Sequence, residues 1–167
     1  MIEEHHSDRG IESHALWSRC RRYRFRLSRR WAPGEQMLFV MLNPSRATAA
    51  ANDPTIARCQ ERAARLGFAG FTACNLFAWC ATDPADLKRA ARPVGQGTDR
   101  VLEDAAQGAA LVLCAWGVHG AHRGRGARVA RLLSRVSGLY VLGLTKDGHP
   151  RHPLYVGYAA PPVLWVP

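Results

Sequence analysis

The chain has 167 residues, is 47% hydrophobic and carries a formal charge of +10, a balance that suits one soluble domain with one core. No apolar run approaches the roughly 20 residues that cross a bilayer. The opening MIEEHHSDRGIESH has acids and no apolar stretch of the secretory kind, so no membrane partner is expected and the expected location is the cytoplasm. Five cysteines with no CxxC spacing argue against a zinc ribbon or a disulfide framework.

Residues 1–14 are polar and are expected to be a disordered tail ahead of a single α/β domain over 15–167. In 22–27, Arg22, Arg24 and Arg26 alternate with Tyr23, Phe25 and Leu27. A period of two predicts a half-buried strand with a basic outer face. A turn at 31–34 leads to MLFVML at 37–42, apolar throughout, as a strand covered on both faces should be. These two strands are expected to pair as an antiparallel edge hairpin. Asp53-Pro54 then starts a helix: Asp caps free N–H groups and Pro suits the first helical position. Ile56, Cys59, Ala63 and Leu66 form its apolar stripe, and Gly67 ends it.

A strand follows at 70–75, and Asp83-Pro84 repeats the helix start. Thr98 opens a helix through Gln107 that stops at Gly108. Residues 110–115 predict a strand. Residues 125–137 predict a helix with Val129, Leu132, Leu133 and Val136 on one face. Residues 139–144 predict the last strand of the series. The tail 161–167 adds a short edge strand or packs over the core. This alternation predicts an α/β fold: a three-layer sandwich with a central, mostly parallel sheet and the N-terminal edge hairpin.

The 23 basic residues exceed the 13 acids, and all but Lys88 and Lys146 are Arg. The excess favours a polyanionic partner, with nucleic acid foremost. The oligomeric state is not encoded in any pattern of the sequence.

Four strand-like runs end in polar signatures: Asn43-Pro44-Ser45, Asn75, Trp116-Gly117, and the segment 145–154 that contains His149 and His152. Ligands of open parallel sheets bind beyond the carboxyl ends of the strands, so these ends predict one shared pocket, rich in amide and imidazole and poor in carboxylate. Asn43 is a turn residue or an amide that holds water or substrate; a carboxamide donates and accepts but is no strong base. Asn75 caps a turn or matches the edge of a nucleobase. Trp116 is a core aromatic or a pocket wall. His149 and His152, stiffened by Pro150 and Pro153, are turn residues or donors to developing negative charge. Asp53 and Asp83 read first as helix caps, and Asp53 is also the best candidate base. Ser45 is a nucleophile only if His152 reaches it. His119 and His122 with His149 and His152 raise a metal site. Their loop spacing lacks a carboxylate partner, so neither metal nor cofactor is expected.

MLNPSRATAAANDPTIARC, NLFAWCATDP, AWG and GHPRHPLY together resemble the family catalogued as domain of unknown function 1643, from about Tyr23 to Tyr155. More distantly, the order of strand-end motifs resembles the uracil-DNA glycosylase superfamily. That resemblance implies that Asn43-Pro44 positions the attacking water and Asn75 reads the base edge. It also implies that His152 stabilises the departing base and Leu154 wedges the duplex; His149 offers a competing match to His152. The expectation is a nucleobase-recognising protein that hydrolyses an N-glycosidic bond in DNA, with the base extruded to reach the site. Asp53 assists Asn43, Phe77, Trp79 and Trp116 bind the base, and Arg22, Arg24, Arg26 and Arg151 contact phosphates. The alternatives are a nucleic-acid-binding module with the same pocket and no hydrolysis, and an enzyme acting on a free nucleotide or other small molecule.

Overall fold

In the computed structural model, which describes residues 1–167, the chain forms strands β1 (Ile2–Asp8), β2 (Ile11–Trp17), β3 (Arg24–Arg30) and β4 (Gln36–Met41), then helix α1 (Pro54–Arg65) and strand β5 (Gly70–Asn75). Helices α2 (Pro84–Arg89) and α3 (Thr98–Gln107) precede β6 (Leu111–Cys114). Helix α4 (Arg125–Leu133), β7 (Leu139–Val141) and β8 (Val163–Trp165) complete the series. All eight strands join one sheet in the order β1-β2-β3-β5-β4-β6-β7-β8.

The apolar run of β4 places it at the centre. Met37, Phe39 and Met41 join the core under α1, with Ile56, Cys59 and Ala63 of that helix. Leu38 and Val40 join the opposite core, with Leu87 of α2, Leu102 and Ala106 of α3, and Val129 and Leu133 of α4. Helices therefore cover both faces, and each fully buried Leu, Ile, Phe or Met contributes roughly 1.5–3 kcal/mol. α1 starts where its cap dictates: the Asp53 Oδ1 accepts from the Ile56 N–H at 2.9 Å, with Pro54 in the first turn. Its inward stripe differs in one place, since Arg62 is buried and Leu66 is exposed.

The α/β class holds, but the sheet is mixed rather than mostly parallel. Strands β5, β4, β6 and β7 are parallel to their neighbours in that unit, whereas β1-β2, β2-β3, β3-β5 and β7-β8 are antiparallel. Antiparallel neighbours need only short connections, and the chain adds them at both edges of the parallel unit. β3 and β4 do not form the expected hairpin, because β5 lies between them and pairs with both. The edge hairpin is instead β1-β2, built from residues expected to be a disordered tail. Polar residues suit a two-strand edge with one wet face, and Ser13, Ala15 and Trp17 give β2 an inward alternation. The tail strand β8 pairs with β7 at the far edge.

A β-bulge overturns the reading of β3 as a strand with Arg22, Arg24 and Arg26 outermost. Leu16 pairs with Arg26 but Trp17 pairs with Arg24, so Phe25 is an extra residue. The alternation slips by one, and Arg24 falls on the interior side with Leu27, 2% exposed. Other arginines are also internal. Arg29 donates to Thr48 O at 2.6 Å and to Asn52 Oδ1 at 3.1 Å. Arg62 donates to Val156 O at 2.9 Å and Gly157 O at 3.0 Å. These side chains satisfy loop carbonyls that have no strand partner. Part of the basic composition is thus structural. No helix is long and apolar enough to cross a membrane.

Candidate functional site

The parallel strands β4, β5 and β6 end on one cavity of about 550 Å³, lined among others by Asn43, Asp53, Asn75, Trp116 and His152. That volume lies within the roughly 300–1,000 Å³ of small-molecule sites. The third and fourth strand ends are tied together where the Gly117 N–H donates to Pro150 O at 2.8 Å.

Asn43 sits two residues beyond β4. Its Nδ2 donates to Ala81 O at 2.7 Å and Pro44 O at 3.0 Å. Two acceptor-only partners fix the amide's orientation, and its Oδ1 remains as the acceptor. Asn75 closes β5 at 3% exposure, and its Nδ2 is buried without any hydrogen-bond partner. An orphaned amide at a cavity wall is costly, on the order of 1–3 kcal/mol, unless a ligand completes it.

Asp53 works twice as a cap. Its Oδ1 receives the Ile56 N–H and its Oδ2 the Ala47 N–H at 3.2 Å, which pins the loop after β4 to the start of α1. It is the sole carboxylate of the cavity wall. His152 faces it from the loop after β7. The His152 Nδ1 accepts from the Leu154 N–H at 3.3 Å, so the neutral ring carries its proton on Nε2. Burial holds its pKa below the ordinary histidine value of 6.5, while Asp53 pulls the other way. The ring is therefore neutral at pH 7, a donor without a charge.

Trp116 belongs to the wall, but its indole is clamped in the core. A Cβ on Gly120 would lie 2.0 Å from its Cδ1, and one on Gly126 would lie 2.9 Å from its Nε1. Trp165 packs on it at 5.8 Å. The indole is thus enclosed by glycines and Trp165, and the core reading of this residue is the one the packing fits.

The chain belongs to the family described as protein of unknown function (DUF1643), whose model matches residues 24–154. Within the DUF1643 match lie all the cavity-lining residues except Tyr155, and the β1-β2 hairpin lies outside it. No curated protein and no solved structure matches the chain significantly.

Several expected members of the DUF1643 cavity are elsewhere. His149 is held in the 145–149 turn, where its N–H donates to Thr145 Oγ1 at 3.1 Å, and it does not line the cavity. Phe77 is fully buried against His122, with ring centroids 5.6 Å apart. Trp79 packs edge-on against Tyr23 at 5.2 Å, under the Arg22 guanidinium. The chain beyond Asn75 turns into the α3–α4 core rather than across the cavity, so these rings cannot stack on a ligand there. Leu154 follows His152 but is not in the wall, and neither are Arg22 and Arg26; Arg26 lies 4.0 Å from Glu3. Arg151 does line the cavity and donates to Tyr155 O at 3.2 Å. Ser45 and His119 also belong to the wall, whereas His122 is turned away. No group of three His, Cys, Asp or Glu is arranged to hold a metal ion.

Sequence reasoning missed Arg24 as an internal wall residue, because a bulge leaves no mark on an alternating pattern. It also missed Thr55, Thr82, Thr145 and Tyr155. Thr145 and Tyr155 flank the His-Pro segment, and that proximity was the available signal.

Proposed function

We propose that this cavity recognises a nucleobase, extruded from nucleic acid, with DNA as the favoured partner, and hydrolyses its N-glycosidic bond. The observation that carries the reading is Asn75, whose buried amide lacks a partner at the wall of a ligand-sized cavity. A carboxamide offers one donor group and one acceptor, the complement of a base edge. Asn43, with its amide orientation fixed, presents Oδ1 to a water, and Asp53, the sole carboxylate of the wall, takes that water's proton. Water adds to the anomeric carbon as the base leaves with the bonding electrons. The Nε2–H of neutral His152 donates to the charge that develops on the base. We propose further that the β5-β4-β6-β7 unit is of the glycosylase-like build. The parallel strands, the helices on both faces and the cavity at the carboxyl ends support this.

The test is base release from duplex and single-stranded oligonucleotides that carry uracil, hypoxanthine, xanthine or 5-hydroxymethyluracil. His152→Ala should slow release by about 10²–10³ and leave binding of a non-cleavable analogue intact, since its donor acts mainly in the transition state. Asn75→Ala should weaken binding as well.

A second reading, a binding module without hydrolysis, draws on one observation. Both oxygens of Asp53, the sole carboxylate of the wall, already accept backbone N–H groups. A protein that binds these oligonucleotides and releases no base would replace the first reading with this one. Release from free nucleosides or nucleotides alone would favour the small-molecule enzyme.

A further inference from the structure

We propose that Arg24 is an oxyanion subsite inside the cavity and takes a phosphate group of the ligand. The residue is 2% exposed and yet belongs to the cavity wall. One Nη donates to Ala47 O, the plane lies 5.9 Å from the Trp17 ring, and Nε is buried without a partner. No carboxylate pairs with it, in contrast to Arg125, which is paired with Asp99. An arginine cannot shed its proton to escape burial, so it remains an uncompensated cation.

The surroundings leave an excess of positive charge at the cavity. Arg24 and Arg151 face a single acid, Asp53, in the wall. Arg29 adds a second buried cation, and burial together with Arg24 lowers its pKa to about 10. Burial lowers the pKa of Arg24 as well, with Cys80 and then Asp53 offsetting part of the effect. The first turn of α1 also opens on the cavity, through Thr55 and Ile56. Its partial positive charge favours an anion. A guanidinium fork suits a phosphate by geometry and charge. The inference rests on the nucleobase reading only for what is attached to the phosphate.

The experiment is calorimetric titration at constant ionic strength. The probes are inorganic phosphate, uridine and inosine with their 5′-monophosphates, and a single-stranded thymidine oligonucleotide. The wild type should bind inorganic phosphate, and each monophosphate should bind roughly tenfold or more tightly than its nucleoside, the size expected of a charge-assisted hydrogen bond. Arg24→Met should erase that difference. Asp53→Asn keeps the helix cap on the Ile56 N–H, gives up the acceptor for the Ala47 N–H and removes the opposing charge, so it should bind phosphate severalfold more tightly. If Arg24→Met does not fold, Arg24→Lys decides: it keeps the charge and loses the guanidinium fork, so the advantage of the monophosphates should shrink severalfold. Displacement of phosphate by the oligonucleotide assigns the group to a strand, and displacement by the monophosphates alone assigns it to a free nucleotide; either keeps the subsite. Asn75→Ala should lose nucleoside affinity and keep phosphate affinity. Phosphate binding without any nucleoside binding would retire the base reading and leave this one standing. No phosphate affinity in the wild type, or equal affinity in wild type and the folded variants, overturns the subsite.

Discussion

Two buried arginines, one on each side of the sheet, meet opposite fates. Arg125, 4% exposed at the start of α4, donates through Nε to Leu76 O at 2.7 Å and is ion-paired with Asp99 of α3. A cation there opposes the helix dipole, and Asp99 compensates it. Arg24, 2% exposed, has one carbonyl acceptor and an idle Nε beside a cavity. Equal burial therefore hides different roles. Arg125 is a closed strap between α3, α4 and the end of β5, whereas Arg24 keeps unspent hydrogen-bonding capacity where a ligand can reach the wall.

The contrast is open to attack by mutation. Arg125→Met should cost about 3 kcal/mol in urea unfolding, because it strands the Leu76 carbonyl and part of the Asp99 charge. A loss below about 1 kcal/mol would mean that Arg125 is no strap. A double-mutant cycle over Arg125 and Asp99 should return a coupling of roughly 1.5–2 kcal/mol. That value is moderated because Asp99 also receives Arg128 at 3.2 Å and is partly exposed. On the cavity side the signs change. Asn75→Leu removes an unpartnered buried amide, so it should raise stability by about 1 kcal/mol while abolishing ligand binding; a destabilised variant would mean that the amide has partners in solution. Arg24→Met should stay within about 1 kcal/mol of the wild type, since relief of a lone buried cation offsets the loss of the hydrogen bond to Ala47 O.

The smallest effect is the pH response of His152. Burial lowers its folded pKa below 6.5, so the unfolded chain binds the proton more readily. Its contribution is present above 6.5 and is lost as pH falls through that value toward the folded pKa. The stability of the wild type should thus drop between pH 7.5 and 5, and His152→Gln should drop less steeply. Parallel curves for the two proteins would remove His152 from the cavity wall.

Much of this layout was legible in the chain. Asp53-Pro54 and Asp83-Pro84 mark their helices, because caps and proline act within a few residues of where they stand. The unbroken apolar run of β4 announced a strand covered on both sides, and the α/β class followed from the alternation of elements. The strand ends were legible for the same local reason. The sequence could not decide which strand lies beside which. The β3-β5 pairing, the β1-β2 edge and the mixed sheet depend on contacts between distant segments, and a polar edge strand has the composition of a loop. The site divides along the same line. Asn43, Asn75 and His152 stand at strand ends that any parallel arrangement brings together. Phe77, Trp79 and His149 are turned away by packing that no local pattern records. Arg24 is brought inside by one extra residue opposite Trp17 and Leu16, a shift that exists only once two strands are paired.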